Sequence, residues 1–256
     1  MDGAKQKRVL LTRENNETLA EALRANGVEV LELPLIRTVH EAQNEDVKDI
    51  MREMGSYDWI TFSSANGVKG FFREFFKNFD DIRTLGVARI ACVGEATAAE
   101  VRKLHLRPDV VPAVSTALAM ADAMAEYETL DNLKVLCVQG NLSLPDLPKT
   151  LDEKHRAIVD TAVVYKTEQV EVGADDKTAA NFRKSGADAV VFASPSAVES
   201  FVKNAKNLLL DDGAVRPKIF SVGPTTTAAL KKYAMNPYME GGDVAGLLLA
   251  YLGIKG

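Results

Sequence analysis

Cysteine is nearly missing from this chain. The two present, Cys92 and Cys137, each lie inside an apolar, strand-like run, which excludes a disulfide scaffold and a cysteine-type zinc site. There are three histidines. His40, His105 and His155 are scattered through polar surroundings, are expected on the solvated surface, and leave no basis for a metal site. No apolar run approaches the ~20 residues that cross a bilayer. The opening Met1-Asp2-Gly3-Ala4-Lys5 lacks an apolar signal region and meets a strand-like run within ten residues. Basic residues are not in excess: 31 Lys and Arg stand against 36 Asp and Glu, a net charge of −5, which argues against a nucleic-acid binder. Neither a Gly-x-Gly-x-x-Gly fingerprint after a strand, nor a phosphate loop, nor a Gly-x-Ser-x-Gly elbow occurs, so nicotinamide binding and serine hydrolysis lack support. What remains, at 256 residues and 46% hydrophobic content, is a soluble, reduced, cytoplasmic α/β protein of one large or two smaller domains.

Short runs rich in Val, Ile, Leu and Phe are each followed by small polar residues and then a helical pattern. They fall at Arg8–Thr12, Val28–Leu33, Trp59–Phe62, Ile90–Val93, Val135–Val138, Ala189–Phe192 and Ile219–Val222. Strands alternating with helices predict parallel sheets. The alternation also repeats. Phe62-Ser63-Ser64-Ala65-Asn66-Gly67-Val68 returns 130 positions on, at Phe192-Ala193-Ser194-Pro195-Ser196-Ala197-Val198. Cys92-Val93-Gly94-Glu95-Ala96-Thr97 returns at Ser221-Val222-Gly223-Pro224-Thr225-Thr226, and Leu10-Leu11-Thr12-Arg13 resembles Leu136-Cys137-Val138-Gln139. Pro34–Thr38 likewise matches Val163–Thr167. Matching segments in one order at nearly one offset predict an internal duplication, with copies over about 7–130 and 134–252.

Each copy contains an extended, polar stretch, over 34–42 and 163–171. An interior parallel strand would be almost wholly apolar, so these read as exposed ribbons, two crossings between two lobes. Polar turns follow the strands at Thr12-Arg13, Ser63-Ser64-Ala65-Asn66, Gly94–Thr97, Gln139-Gly140-Asn141, Ser194-Pro195-Ser196 and Gly223–Thr226. In parallel sheets ligands sit outside the carboxyl ends of the strands, against helix N-termini whose free N–H groups carry partial positive charge. Such turns suit an anion, particularly one with several carboxylates. Ser, Thr and Asn are equally the ordinary helix N-caps, each stabilising by ~1 kcal/mol, and the turns alone admit both readings. Tyr165 lies in a ribbon, where its phenol would be accessible, although tyrosine also simply favours strands.

These elements together resemble the uroporphyrinogen-III synthase family over nearly the whole chain. The resemblance rests on Val9-Leu10-Leu11-Thr12-Arg13, Phe62-Ser63-Ser64-x-x-Gly67-Val68, Val93-Gly94-x-x-Thr97, Val164-Tyr165-x-Thr167, Phe192-x-Ser194-Pro195-Ser196 and Val222-Gly223-Pro224-Thr225-Thr226. It implies two flavodoxin-like α/β lobes with parallel sheets joined by a two-stranded β-ladder. Residues 1–36 plus 172–256 would form one lobe and 42–163 the other, with 37–41 and 164–171 as hinge ribbons. It implies closure of linear hydroxymethylbilane to uroporphyrinogen III, with loss of water and inversion of the last pyrrole ring. No cofactor or metal is implied, and the expected protein is a monomer acting on a small molecule, without a membrane or nucleic-acid partner. Carried over by position, Ser63, Ser64, Asn66 and Thr97 would meet substrate carboxylates or pyrroles from one lobe. Ser194, Thr225 and Thr226 would do so from the other, and Thr12, Arg13 and Gly140 are further binding candidates. Tyr165 matches the family's hinge tyrosine and would hydrogen-bond the leaving hydroxyl. Gln139 stands where many relatives carry a basic residue, leaving the N–H groups of Gly140 and Asn141 as the expected donors there. A non-catalytic two-lobed module that clamps a small anion is the alternative; a nucleotide-using Rossmann enzyme is disfavoured by the missing glycine fingerprint.

Overall fold

A computed structural model of the chain describes residues 6–40 and 45–254. Glu41, the last residue of the first expected ribbon, residues 42–44 of the second expected lobe, and residues 1–5 and 255–256 lie outside the described residues. By its contacts the chain divides into two compact units, 1–37 with 168–256, and 38–167.

In chain order the elements are β1 (Arg8–Leu11), α1 (Glu17–Ala25), β2 (Glu29–Glu32), β3 (Ile36–Val39), α2 (Glu45–Arg52), β4 (Trp59–Phe62) and α3 (Ala65–Asn78). There follow β5 (Arg89–Cys92), α4 (Glu95–Arg102), α5 (Ala117–Tyr127), β6 (Lys134–Gly140), α6 (Asp146–Lys149) and β7 (Ile158–Gln169). The remainder comprises α7 (Lys177–Ser185), β8 (Ala189–Phe192), α8 (Pro195–Lys203), α9 (Ala205–Leu208), β9 (Lys218–Ser221), α10 (Pro224–Lys232), β10 (Met239–Glu240) and α11 (Val244–Tyr251). One five-stranded sheet has the order β10-β9-β8-β1-β2 and the other β3-β7-β6-β4-β5. Read from the β2 edge, the first is the 2-1-3-4-5 order of flavodoxin-type doubly wound sheets. The pairs β1·β2, β1·β8, β8·β9, β4·β5, β4·β6 and β6·β7 are all parallel.

Both sheets are covered on two faces. Strands β4 and β8 are buried at all four positions, as parallel strands between helical layers must be. In the 38–167 unit one face packs Phe62, Phe71, Phe72 and Phe75 with Val68 and Val101. The other packs Trp59, Met120, Met124 and Leu151. In the other unit Phe182, Val198 and Leu230 lie on one face and Leu23, Val28 and Leu248 on the other. Each large side chain in these layers contributes roughly 2–3 kcal/mol of burial. Cys92 and Cys137 are free and buried, as the apolar runs around them imply. Among the described residues no helix is long and apolar enough to cross a membrane.

Two expectations need correction. The polar stretch at 163–171 begins within the sheet: β7 is one twelve-residue strand, Ile158–Gln169, whose pairing with β6 runs from Ile158 through Tyr165. It escaped the apolar test because its residues Lys166, Thr167, Glu168 and Gln169 are polar and not buried. His155 is not a solvated residue either: its side chain is only 13% exposed and its Nε2 lies 3.5 Å from Asp122.

Candidate functional site

Within the 38–167 unit the site builds on the carboxyl ends of β4, β6 and β7. Chain leaving β4 turns at Ser63-Ser64 into α3. Ser64 is the N-cap, extended at φ −162° and ψ 157°, and its Oγ accepts from the Gly67 N–H at 3.0 Å. The same Oγ lies 3.0 Å from the hydroxyl of Tyr165. Ser63 Oγ donates to the Val138 carbonyl at 3.4 Å, and Asn66 Nδ2 donates to Thr38 Oγ1 at 3.1 Å. Tyr165 is half-buried and packs its ring against the aromatic core layer. Ser63, Ser64, Gly140 and Tyr165 are thus brought together, with Asn66 in the first turn of α3.

Other predicted residues are placed differently. The Gly140 N–H donates to Ser143 Oγ at 3.2 Å and the Asn141 N–H to the Tyr165 carbonyl at 3.2 Å, so neither amide is the free donor that was expected. Gly140 itself is buried beneath the Tyr165 ring. Thr97 is 4% and Thr226 2% exposed. Each is the third residue of its helix, after an extended Gly94 or Gly223, and that position faces the sheet. Thr12 is fully buried, and its hydroxyl donates to the Val191 carbonyl at 2.7 Å, tying β1 to β8.

Within the other unit, Ser194 caps α8 by accepting from the Ala197 N–H at 3.2 Å and lies 3.0 Å from Ser196 Oγ. Thr225 is exposed at the start of α10. Arg13 is exposed, with Nε donating to the Glu14 carbonyl at 3.1 Å. It borders a cavity of about 360 Å³ at the carboxyl ends of β1 and β8, floored by Leu11, Leu19 and Val191 and rimmed by Thr18 and Asp243.

The groups that could act as acids or nucleophiles are few. Burial pushes the Cys92 and Cys137 thiols up to about 12, so both stay protonated at neutral pH. Burial, and then the Arg73 guanidinium, hold the His40 imidazole below its ordinary value. Among the described residues His40 Nδ1 is buried without a hydrogen-bond partner, so this histidine too differs from the solvated residue that was expected. Among the described residues no three His, Cys, Asp or Glu side chains gather as metal ligands. Sequence reasoning missed Ser143, Gly70 and His40. Only Gly70 left a trace, as the second glycine of the Gly67-x-x-Gly70 pair on one face of α3.

A family model described as uroporphyrinogen-III synthase HemD matches residues 17–242. The porphyrin biosynthesis protein HemD of Ruminiclostridium josui is 28% identical over 88% of this chain, which spans only 44% of that protein's length. A putative uroporphyrinogen-III synthase of Methanocaldococcus jannaschii is 26% identical, over 90% of this chain and 91% of its own. Among solved structures, a mutant uroporphyrinogen III synthase of the extremely thermophilic bacterium Thermus thermophilus superposes with a TM-score of 0.66 at 17% identity, covering 96% of this chain and 98% of that one. The Helicobacter pylori enzyme gives 0.60 at 14%, with the same coverage. The structural likenesses establish a shared fold, and the family match, which runs through the Ser64 cap, the Tyr165 strand and the Thr225 turn, shows that this chain belongs to the uroporphyrinogen-III synthase family.

Proposed function

We propose that this chain closes linear hydroxymethylbilane to uroporphyrinogen III, inverting the last pyrrole ring and releasing water. The observation that carries this reading is Tyr165: a half-buried phenol at a strand end, its hydroxyl held 3.0 Å from Ser64 Oγ, where neither thiol supplies an acid. The C–O bond of the hydroxymethyl group breaks with its electron pair on oxygen, and the pyrrole nitrogen's lone pair supports the carbon left behind. Tyr165 meets the departing oxygen with its proton. The new carbon–carbon bond forms at the last ring's α-carbon that already carries the bridge. The old bridge bond then breaks and is remade at that ring's free α-carbon, which loses the proton that restores the phenol, so the ring is inverted and water alone leaves.

The bilane carries eight carboxylates and closes without help to the uninverted isomer. Catalysis is therefore largely the choice of one conformation, a matter of proximity and orientation. Arg13, Ser194 and Thr225 are proposed carboxylate ligands, because each presents an exposed or half-exposed polar group at a strand end. Residues 37–41 and 164–171 are proposed as the connecting ribbons, and the recurrent turns as the mark of an internal duplication. In support, the Ser64 and Ser194 caps have the same extended geometry and accept from the third residue after each.

The test is Tyr165→Phe, which keeps the ring and its packing. Turnover falls by ~10²–10⁴-fold, the range of one positioned proton donor, while the type III isomer still dominates what is enzymatically closed. Wild-type rates in a variant of equal thermal stability remove Tyr165 from the mechanism.

A further inference from the structure

Strand geometry alone does not put Tyr165 where it lies. β6 and β7 pair in step from Lys134↔Ile158 to Gln139↔Val163, and then Gly140 pairs with Tyr165, leaving Val164 as an extra residue. Such a bulge bends a strand and re-aims the side chain that follows it. Two glycines admit the shape. A Cβ on Gly140 would lie 2.4 Å from Tyr165 Cζ, 2.6 Å from Cε2 and 2.8 Å from the hydroxyl oxygen. A Cβ on Gly70 would lie 2.8 Å from the Val164 carbonyl oxygen and 2.9 Å from its Cγ2. Helix α3 therefore packs onto the bulge through Gly70, and it is α3 whose N-cap, Ser64, meets the phenol.

Either hydroxyl could donate across the 3.0 Å contact, so the direction turns on what else each oxygen binds. Ser64 Oγ already accepts from the Gly67 N–H, and among the described residues its proton has no acceptor other than the Tyr165 oxygen. A serine hydroxyl both donates and accepts. One lone pair is engaged at the positive end of α3, and of the two arrangements left, donation from Ser64 to Tyr165 is the one that leaves the phenol's own proton free.

We propose that Gly140 and Ser64 are positioning residues for Tyr165 rather than substrate ligands: Gly140 seats the ring over the strand, and Ser64 donates to the phenol oxygen so that the phenol donates onward. This rests on the proposed role of Tyr165 in the reaction.

The test uses the full-length protein with hydroxymethylbilane, and Ser64→Asp is the central variant. Aspartate caps α3 as well as serine does, but a carboxylate only accepts; it captures the phenol proton. The expected result is a kcat about 100-fold lower and a change in the Tyr165 Cζ resonance, the ring carbon that senses whether the hydroxyl donates or accepts. Ser64→Thr, which returns the hydroxyl, recovers most of the kcat that Ser64→Ala loses. Adding Tyr165→Phe to Ser64→Asp lowers kcat no further than Tyr165→Phe alone, whereas any repulsion of the anionic substrate appears in KM. Gly140→Ala, where it folds, shows the same non-additivity; if it does not fold, the Ser64 series decides. An unchanged Cζ resonance in Ser64→Asp, or kcat losses that multiply with Tyr165→Phe, overturn the proposal. If Tyr165→Phe keeps wild-type kcat, the catalytic reading of Tyr165 fails, and the Cζ resonance still reports separately on the direction of the hydrogen bond.

Discussion

His40 shows how a residue can be misjudged from its neighbours in sequence. Arg37 and Thr38 shortly precede it, yet the imidazole lies against α3, near Arg73, Glu74 and Lys77, with Nδ1 buried and, among the described residues, unpartnered. Burial and the two nearby cations disfavour its protonated form, and the Val164 backbone and Glu74 oppose them less strongly. The unfolded chain then binds a proton near pH 6.5 that the folded protein takes up only at lower pH. This contribution to stability is complete above about 6.5 and declines as pH falls below it. His40→Gln flattens the stability curve below about pH 6.5; an unaltered dependence of stability on pH in urea titrations there contradicts the assignment. Tyr165 stood out in the sequence as a ring in a polar stretch, but its packing against the core layer was not visible there. The burial of Thr97 and Thr226 was not, because it depends on which side of the first helical turn docks on the sheet, and residue spacing does not specify that.

At the scale of elements, apolar runs marked most strands within a residue or two: Trp59–Phe62 and Ala189–Phe192 match β4 and β8 at both ends. These strands are buried on two faces, and their composition has to say so. β7 was less legible, since a strand with exposed positions needs no apolar run. Helix ends depend on single residues. Gly186 closes α7 at φ 69°, and a Cβ there would lie 1.9 Å from the Val215 carbonyl oxygen, which bonds the Ala187 N–H at 3.2 Å. Both the left-handed backbone and the contact oppose a side chain. Gly186→Ala destabilises by about 2 kcal/mol or more, read as a lower urea midpoint at unchanged slope; a loss below ~0.5 kcal/mol shows that the turn relaxes freely.

For the whole molecule, the alternation of strands and helices predicted parallel sheets, and the two sheet orders bear that out. The division of the chain, in which residues 1–37 share a unit with 168–256, could not come from periodicity, because local pattern does not reveal which strand β1 will pair with. β1 lies between β2 and β8, so its second neighbour comes from the far end of the sequence. The polar turns suggested a class of ligand, an anion with several carboxylates, and the proposed reaction came only through the resemblance. The most direct test supplies hydroxymethylbilane to the purified protein, oxidises the products to porphyrins and separates the isomers. The proposed function predicts type III in large excess, formed faster than spontaneous closure. Type I alone, at the spontaneous rate, contradicts it.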